Sequence, residues 1–337
     1  MMSTQTIASP ENIFNTLWGF QRTAALKTGI DLDIFTAIAE GDRTAPALAK
    51  KSGASERGIR ILCDYLTIIG LLGKSGRSYE LTPESAMFLD KRSPAYIGTT
   101  ASFLTIPELV NNFTDLTSTV RRGGVAEKGN TVAEENPIWI EFARAMVPMA
   151  MPSAFAIADL LSIASSAEPV QVLDIAAGHG MFGIVLAERN PKVNVVAVDW
   201  APVLAVAEEH ARAHGVHDRY RTRPGDAFKV DFGEGYDVAL VTNFLHHFDQ
   251  STCTAFLAKV HRALKPGGRV VVLEFVPNPD RVSPPMAAAF SLTMLAGTHA
   301  GDAYTFVELQ RQLEDAGFKD VTAHPLPSPQ TVLIARK

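Results

Sequence analysis

The sequence predicts an α/β chain in two parts. A mainly helical, winged-helix-like domain is expected over residues 1–165, and a Rossmann-like, doubly wound parallel sheet over 166–337. Three observations carry this. Residues 170–183, VQVLDIAAGHGMFG, read as a buried strand, a glycine turn and the start of an apolar helix. From there to the C-terminus, strand-like and helical stretches alternate. Before Pro169 the periodicity is helical, apart from one short hairpin.

The first helical pattern starts at Pro10, places Ile13, Phe14, Leu17 and Trp18 on one side, and runs to Gly29. A short helix over 32–39 ends at Gly41. Residues 44–82 then have the order helix, helix, hairpin, with Thr44 and Ser55 as caps and Ser75-Gly76 as the turn. This is winged-helix order, which raises a DNA-binding or ligand-sensing reading. The would-be recognition helix opposes it. Only Arg57 and Arg60 are basic there, while Ile59, Ile61, Leu62, Leu66, Ile68 and Ile69 predict burial. Residues 83–151 are mostly helix, broken at Pro94, Pro107 and the polar stretch 121–130, a candidate flap. Trp139, Phe142, Met146, Met149 and Met151 form an apolar patch suited to a core or to an adaptable pocket. A helix over 153–165 and the linker SSAEP lead into the sheet domain.

Beyond 170–175, strands are expected at 193–198, 220–222, 236–242 and 269–275, the last after the Pro266-Gly267-Gly268 turn. Helices are expected at 203–214, 252–264 and 305–316. Strands 321–324 and 331–335 read as an antiparallel pair closing the sheet.

Composition narrows the function classes. In 337 residues, 47% hydrophobic and 20% charged content is globular, and a net charge of −5 suits no nucleic-acid coat. Cys63 and Cys253 lie far apart in apolar surroundings, as small buried residues of a reducing compartment. No run of about 18 apolar residues occurs, and the first residues have no secretory pattern. A soluble, cytoplasmic protein without membrane or nucleic-acid partners is expected.

Gly178, Gly180 and Gly183 spell G-x-G-x-x-G, by itself a weak nucleotide signal. Charge sharpens it. Asp174 ends the strand at the mouth of the turn, where a carboxylate disfavours pyrophosphate and favours an ammonium. Asp199 ends the next strand, about 20 residues on, where an acid meets a ribose. Asp226 follows a third strand-like run. Three acids after three strands fit S-adenosylmethionine better than a dinucleotide.

With VLDIAAGHG, VAVDW, GDAF, NFLHHFDQSTC and LKPGGRVVVLEF in this order, the chain resembles class I methyltransferases. Specifically, it is similar to plant-type and bacterial small-molecule O-methyltransferases with an N-terminal dimerisation domain. The resemblance implies methyl transfer from S-adenosylmethionine, leaving S-adenosylhomocysteine, to the hydroxyl of an aromatic or polyketide-like small molecule, without a metal. It also implies a homodimer formed by the N-terminal helices, with the region of Phe14 and Trp18 either lining the partner's pocket or simply packing.

The family's LHDWxDxxC falls on Leu245, His246, His247, Phe248, Gln250 and Cys253, which carries the catalytic base onto His246. Glu274 matches the acid that orients it. Cofactor contacts carry over to Asp174, Gly178, Gly180, Asp199, Trp200, Asp226, Ala227, Phe228 and Asn243. Substrate contacts carry over to Phe142, Met146, His247, Met294 and Thr298. Three departures stand out. Ala176 replaces a motif glycine, tolerable where no positive φ is needed. Ala227 thins the adenine wall, leaving it to Trp200 and Phe228. A second family acid falls on Ala303, next to Asp302, so C- or N-methylation, or a non-methylating use of the cofactor, stays open.

Overall fold

The computed structural model describes residues 8–126, 131 and 136–337. Packing divides the chain into two units, Met1–Thr105 and Ile106–Lys337.

In the first unit the helix expected from Pro10 is broken. Trp18 closes α1 (Glu11–Leu17) and opens α2 (Gly19–Asp31), and α3 (Ile34–Ala39) follows. Then come α4 (Ala45–Ser52), α5 (Glu56–Ile68), the hairpin β1 (Leu72–Ser75) and β2 (Ser78–Leu81), α6 (Pro83–Phe88) and α7 (Thr100–Leu104). Ser55 caps α5 by accepting the Gly58 N–H at 3.0 Å. Thr44 precedes α4 but makes no side-chain cap bond; its backbone instead forms an isolated antiparallel bridge to Ser78 of β2. Ile34, Phe35, Leu48, Ile59, Cys63, Leu66 and Tyr79 form the core.

The expectation that α5 is buried on all its apolar positions is wrong at two of them. Ile61 is 42% and Ile68 79% exposed, because the helix has apolar residues on more than the side that meets the core. α1 buries nothing: Ile13, Phe14, Leu17 and Trp18 are all exposed, with Phe14 and Trp18 stacked at 5.4 Å.

The second unit opens with α8 (Pro107–Asn111), α9 (Leu116–Arg122), α10 (Ile138–Ala145) and α11 (Val147–Leu160). Of the candidate flap, Arg121 and Arg122 belong to α9, and 127–130 lie outside the described residues. The sheet strands are β3 (Val170–Ile175), β4 (Val193–Asp199), β5 (Tyr220–Pro224), β6 (Tyr236–Thr242), β7 (Leu264–Phe275), β8 (Lys319–Pro325) and β9 (Gln330–Arg336). Between them lie α12 (Met181–Arg189), α13 (Ala201–Ala213), α14 (Gln250–Ala263), α15 (Pro285–Gly297) and α16 (Phe306–Asp315). Asp249 caps α14, and Thr305 with Glu308 forms a capping box on α16.

The strand order is β5-β4-β3-β6-β7-β9-β8, parallel through β7 and antiparallel at β9 and β8. β3 is central. Its Val172, Leu173, Asp174 and Ile175 are all buried, since helices cover both faces. α11 packs on this unit: Ala154 and Ile157 share a cluster with Val172 and Ile184. The expected domain boundary near residue 165 therefore differs from the break in packing near 105, because the apolar residues of α11 are buried against the sheet layer. The chain leaves β3 in one direction for β4 and β5, then in the other for β6. In parallel sheets of this kind ligands bind at that reversal, beyond the C-terminal ends of β3 and β6.

Candidate active site

Every strand from β3 to β7 delivers candidate residues to this one edge. After β3, the turn 176–180 is wound left-handed at Ala176 (φ 53°), Gly178 (φ 56°) and Gly180 (φ 74°). Ala176, tolerable where no positive φ is needed, does take one, and its backbone carries a strain of about 1–2 kcal/mol. The three motif glycines differ in role. A Cβ on Gly178 would meet the Phe142 ring at 3.4 Å and the Ala176 carbonyl oxygen at 3.9 Å, ordinary contacts that leave its backbone open to close approach. A Cβ on Gly180 would meet the Tyr220 hydroxyl at 2.5 Å, and one on Gly183 would meet Val195 at 2.8 Å. Those two let α12 pack against the sheet.

Asp174 lies beneath the turn, not at its mouth. It is fully buried, Oδ2 accepts the Gly183 N–H at 3.1 Å, and Oδ1 has no partner among the described residues. Burial pushes its pKa well above the carboxylate range. The charge argument then moves to Asp199. Its Oδ2 accepts the Gly178 N–H at 2.8 Å and its Oδ1 the Trp200 N–H at 2.7 Å. Each oxygen keeps a lone pair for a hydroxyl donor. Burial raises its pKa to about 6, partly offset by those two N–H groups.

After β5, Asp226 holds the Phe228 N–H at 2.8 Å, and Phe228 leaves 37% of itself exposed. Behind it, Phe244, Phe248 and Phe256 pack ring on ring at 4.8–5.9 Å from Phe228. Lys259, missed in the sequence, donates to the carbonyls of Ala227, Phe228 and Val230 at 2.8, 3.0 and 2.6 Å. Its ammonium sits 4.2 Å over Phe232 and ties this loop to α14. Trp200 instead packs with Trp139, Ile140 and Ala143. The flat apolar face of Phe228, the paired acceptors of Asp199 and the open backbone at Gly178 fit an adenosyl group, its ribose and its amino-acid tail.

After β6 the chain forms a short 3-10 turn, 245–247, capped from below by one carboxylate. Glu274, at the end of β7 and 2% exposed, takes the N–H groups of Phe244, Leu245 and His246 on Oε1, at 3.1, 2.8 and 3.4 Å. Its Oε2 takes Nδ1 of His246 at 2.5 Å. Since the carboxylate accepts, Nδ1 carries the hydrogen and Nε2 keeps its lone pair. Nε2 has no partner among the described residues. The Cys253 thiol donates to the Leu245 carbonyl at 3.2 Å, and the Tyr304 hydroxyl donates to the Phe248 carbonyl at 2.5 Å. A Cβ on Gly301 would meet the His246 carbonyl at 2.2 Å. The turn is thus clamped from three elements.

Rings surround it. Phe290 of α15 meets His246 edge-on at 4.9 Å, and stacks on Phe275 at 4.0 Å. His247 lies 4.3 Å from His246 and 5.3 Å from Trp139. Burial first, then His246, pushes the His247 pKa well below the imidazole range, and its Nδ1 has no partner among the described residues. Trp139 leads on to Phe142, and Phe142 to His179 in the glycine turn, at 5.7 and 6.0 Å. Phe142 therefore sits beside the glycine turn, with Met146 half-buried one turn on. Met294 is buried. Thr298 does not face open space. It is fully buried, and its hydroxyl donates to the Met294 carbonyl and accepts the Gly301 N–H. Asp302 is turned to Arg281 at 3.2 Å, while Ala303 is buried. Among the described residues no group of His, Cys, Asp and Glu is arranged to hold a metal ion.

Sheet order, glycine turn and acid at the second strand define the class I methyltransferase type of nucleotide-binding fold. Residues 140–319 match the model of the O-methyltransferase domain, and 14–91 that of the O-methyltransferase dimerisation domain. The chain belongs to this O-methyltransferase family and is an S-adenosylmethionine-dependent methyltransferase. It is similar to a candidate O-methyltransferase from Nostoc punctiforme of known crystal structure, with 48% identity and a TM-score of 0.94 over 98% of this chain and 100% of that one. Among curated relatives, the tetracenomycin polyketide synthesis 8-O-methyl transferase of Streptomyces glaucescens is 29% identical over 98% of both chains. The 3-hydroxy-5-methyl-1-naphthoate 3-O-methyltransferase of Streptomyces sahachiroi is 28% identical, over 92% of this chain and 90% of its own.

Proposed function

We propose that the enzyme methylates the hydroxyl of an aromatic, polyketide-like small molecule, with His246 as general base and Glu274 as the acid that orients it. The observation that carries this is the His246–Glu274 pair, buried at the ligand edge with Nε2 unpaired and rings of Phe290, Trp139 and Phe142 nearby. The bound cofactor supplies an electrophilic methyl group on a sulfonium. The chain supplies the rest. Asp199, Phe228 and the Gly178 backbone would hold the adenosyl group and its tail, with Asp226, Ala227 and Asn243 beside them. Aromatic walls exclude water and align a planar substrate, a positioning effect that reaches about 7–11 kcal/mol in favourable cases. His246 Nε2 takes the hydroxyl proton as the new bond forms, a contribution of about 10²- to 10⁴-fold. Glu274 stabilises the imidazolium so formed. No second acid is required: Asp302 is spent on Arg281, and the three-fold backbone clamp on Glu274 already fixes the base.

Polyketide and naphthoate substrates in the names of the two Streptomyces relatives agree with this substrate class. The exposed apolar residues of α1 and the dimerisation domain support a homodimer formed through the N-terminal helices. No described helix is long and apolar enough to cross a membrane, and two buried, unbridged cysteines suit the cytoplasm. A panel of naphthols, anthraquinones and simple phenols, incubated with S-adenosylmethionine and read by mass spectrometry, tests the reading. Gain of one methyl on oxygen in a ring-bearing substrate supports it. Methylation of carbon or nitrogen only would overturn it.

A further inference from the structure

The glycine turn has spent most of its backbone donors. The N–H groups of Ala177 and Gly180 donate to the carbonyls of Val198 and Ala177, at 3.1 and 2.8 Å. Those of Gly178 and Gly183 go to Asp199 and Asp174, and that of Met181, the first residue of α12, goes to Nδ1 of His179 at 3.1 Å. The amino-acid tail of the cofactor carries a carboxylate, which the start of a helix ordinarily holds through such N–H groups. Here a further donor is needed.

His179 has one, and its polarity is not open to choice. A backbone N–H can only donate, so Nδ1 is the acceptor and the hydrogen of the neutral imidazole lies on Nε2. The ring stays neutral, because burial first, then His210, pushes its pKa down to about 3. It is 3% exposed and near-parallel to Phe142, with centroids 6.0 Å apart, and its carbonyl is held by Nδ1 of His210 at 2.8 Å. Nε2 has no partner among the described residues, yet it is not sealed in as Asp174 Oδ1 and the Tyr220 hydroxyl are. The Phe142 ring that meets the imidazole also faces the place where a Cβ on Gly178 would stand. The imidazole therefore shares with Gly178 the side of the turn that is open to close approach.

We propose that His179 binds the carboxylate of the cofactor's amino-acid tail through Nε2–H, and so replaces the donor that α12 spends on Nδ1. The proposal rests on the assignment of that tail to the Gly178 turn.

Two variants and two truncated ligands test it by calorimetry at pH 8. His179→Asn keeps an acceptor for the Met181 N–H and removes the outer donor. His179→Phe keeps a ring against Phe142 and removes both nitrogens. Decarboxylated S-adenosylhomocysteine lacks only the carboxylate, and 5′-methylthioadenosine lacks the whole amino-acid group. In the wild type, S-adenosylhomocysteine should bind about tenfold or more tighter than its decarboxylated form, the scale of one charge-assisted hydrogen bond. That ratio should shrink to within about threefold in both variants, with the decarboxylated ligand bound by His179→Asn as by the wild type. Loss of a mere helix cap would weaken all three ligands alike, and that result would overturn the proposal. So would a ratio kept at its wild-type value in either variant, and a raised substrate KM beside such a ratio would give the Nε2 donor to the substrate instead. If 5′-methylthioadenosine binds the wild type as tightly as S-adenosylhomocysteine, the tail is not held at the turn and the underlying assignment fails. If only the decarboxylated ligand matches S-adenosylhomocysteine, that assignment stands and the carboxylate contact alone is lost. Should His179→Phe not fold, His179→Asn decides by the same ratio.

Discussion

Glu274→Gln is the sharpest perturbation the structure offers. The carboxylate does two jobs with two oxygens. Oε1 gathers three backbone N–H groups, and Oε2 receives Nδ1–H of His246. A glutamine can do the first job unchanged, since its oxygen still faces the backbone donors. Its NH2 group must then face Nδ1, which can only meet it as an acceptor. The imidazole hydrogen is driven to Nε2, and the nitrogen meant to take the proton becomes a donor. A base so disabled should cost about 10²- to 10⁴-fold in kcat, equivalent to about 3–5 kcal/mol in the barrier. Stability should fall by about 1–2 kcal/mol, because charge-assisted bonds become neutral ones. S-adenosylhomocysteine affinity should barely change, as the contacts of Glu274 are to residues 244–246. Initial rates at saturating S-adenosylmethionine, with calorimetric affinity for the product, make the comparison. A variant that folds, binds the product normally and keeps kcat within threefold of wild type would refute the tautomer argument.

Other expectations follow from neighbouring residues. Asp199→Ala should weaken S-adenosylhomocysteine binding at pH 8 and leave the fold intact; unchanged calorimetric affinity would move the ribose site elsewhere. In the wild type, a ligand whose hydroxyls donate to Asp199 favours its ionised form. With a pKa of about 6, affinity should be level above pH 7 and weaken below 6, by up to about tenfold per pH unit. Constant affinity down to pH 5 would contradict the assignment. Gly183→Ala should lose about 1–3 kcal/mol in denaturant unfolding, since its methyl would lie 2.8 Å from Val195 and 2.9 Å from Asp174. A loss under 0.5 kcal/mol would show that α12 can shift. Removing residues 1–30 should give monomers or aggregates, because obligate interfaces typically bury about 2,000 Å² or more. A fully active dimer after that deletion would place the interface elsewhere.

The sheet was legible because its strands are buried on both faces, so β3, β4 and β6 read as apolar runs, ending at Ile175, Asp199 and Thr242. The turn 245–247 was legible from position: a loop after the fourth parallel strand must lie at the ligand edge. What the sequence hid is side-chain direction. Asp199 ends β4, but Asp174 stands one residue before the end of β3, and that residue of register puts Asp174 under the turn and Asp199 beside it. Glu274 was legible as a partner for His246 but not as the acceptor of three backbone N–H groups. That contact depends on the 3-10 turn forming over it. Thr298 shares a helical period with Met294, yet its hydroxyl is consumed locally at the helix end. Lys259 acts through carbonyl contacts between elements far apart in sequence, for which no local pattern exists. Ala176 shows the limit of glycine logic: the turn demands a left-handed residue and takes an alanine.

The central claim, that His246 and not its neighbour removes the substrate proton, is tested most directly by kcat for His246→Ala and His247→Ala side by side. Both should be measured as methyl product at saturating S-adenosylmethionine and an accepted hydroxyl substrate. The account predicts that His246→Ala falls by about 10²-fold or more with product affinity retained, and that His247→Ala, whose ring is not held by Glu274, falls by much less. Full activity in His246→Ala, or a larger loss in His247→Ala, would contradict it.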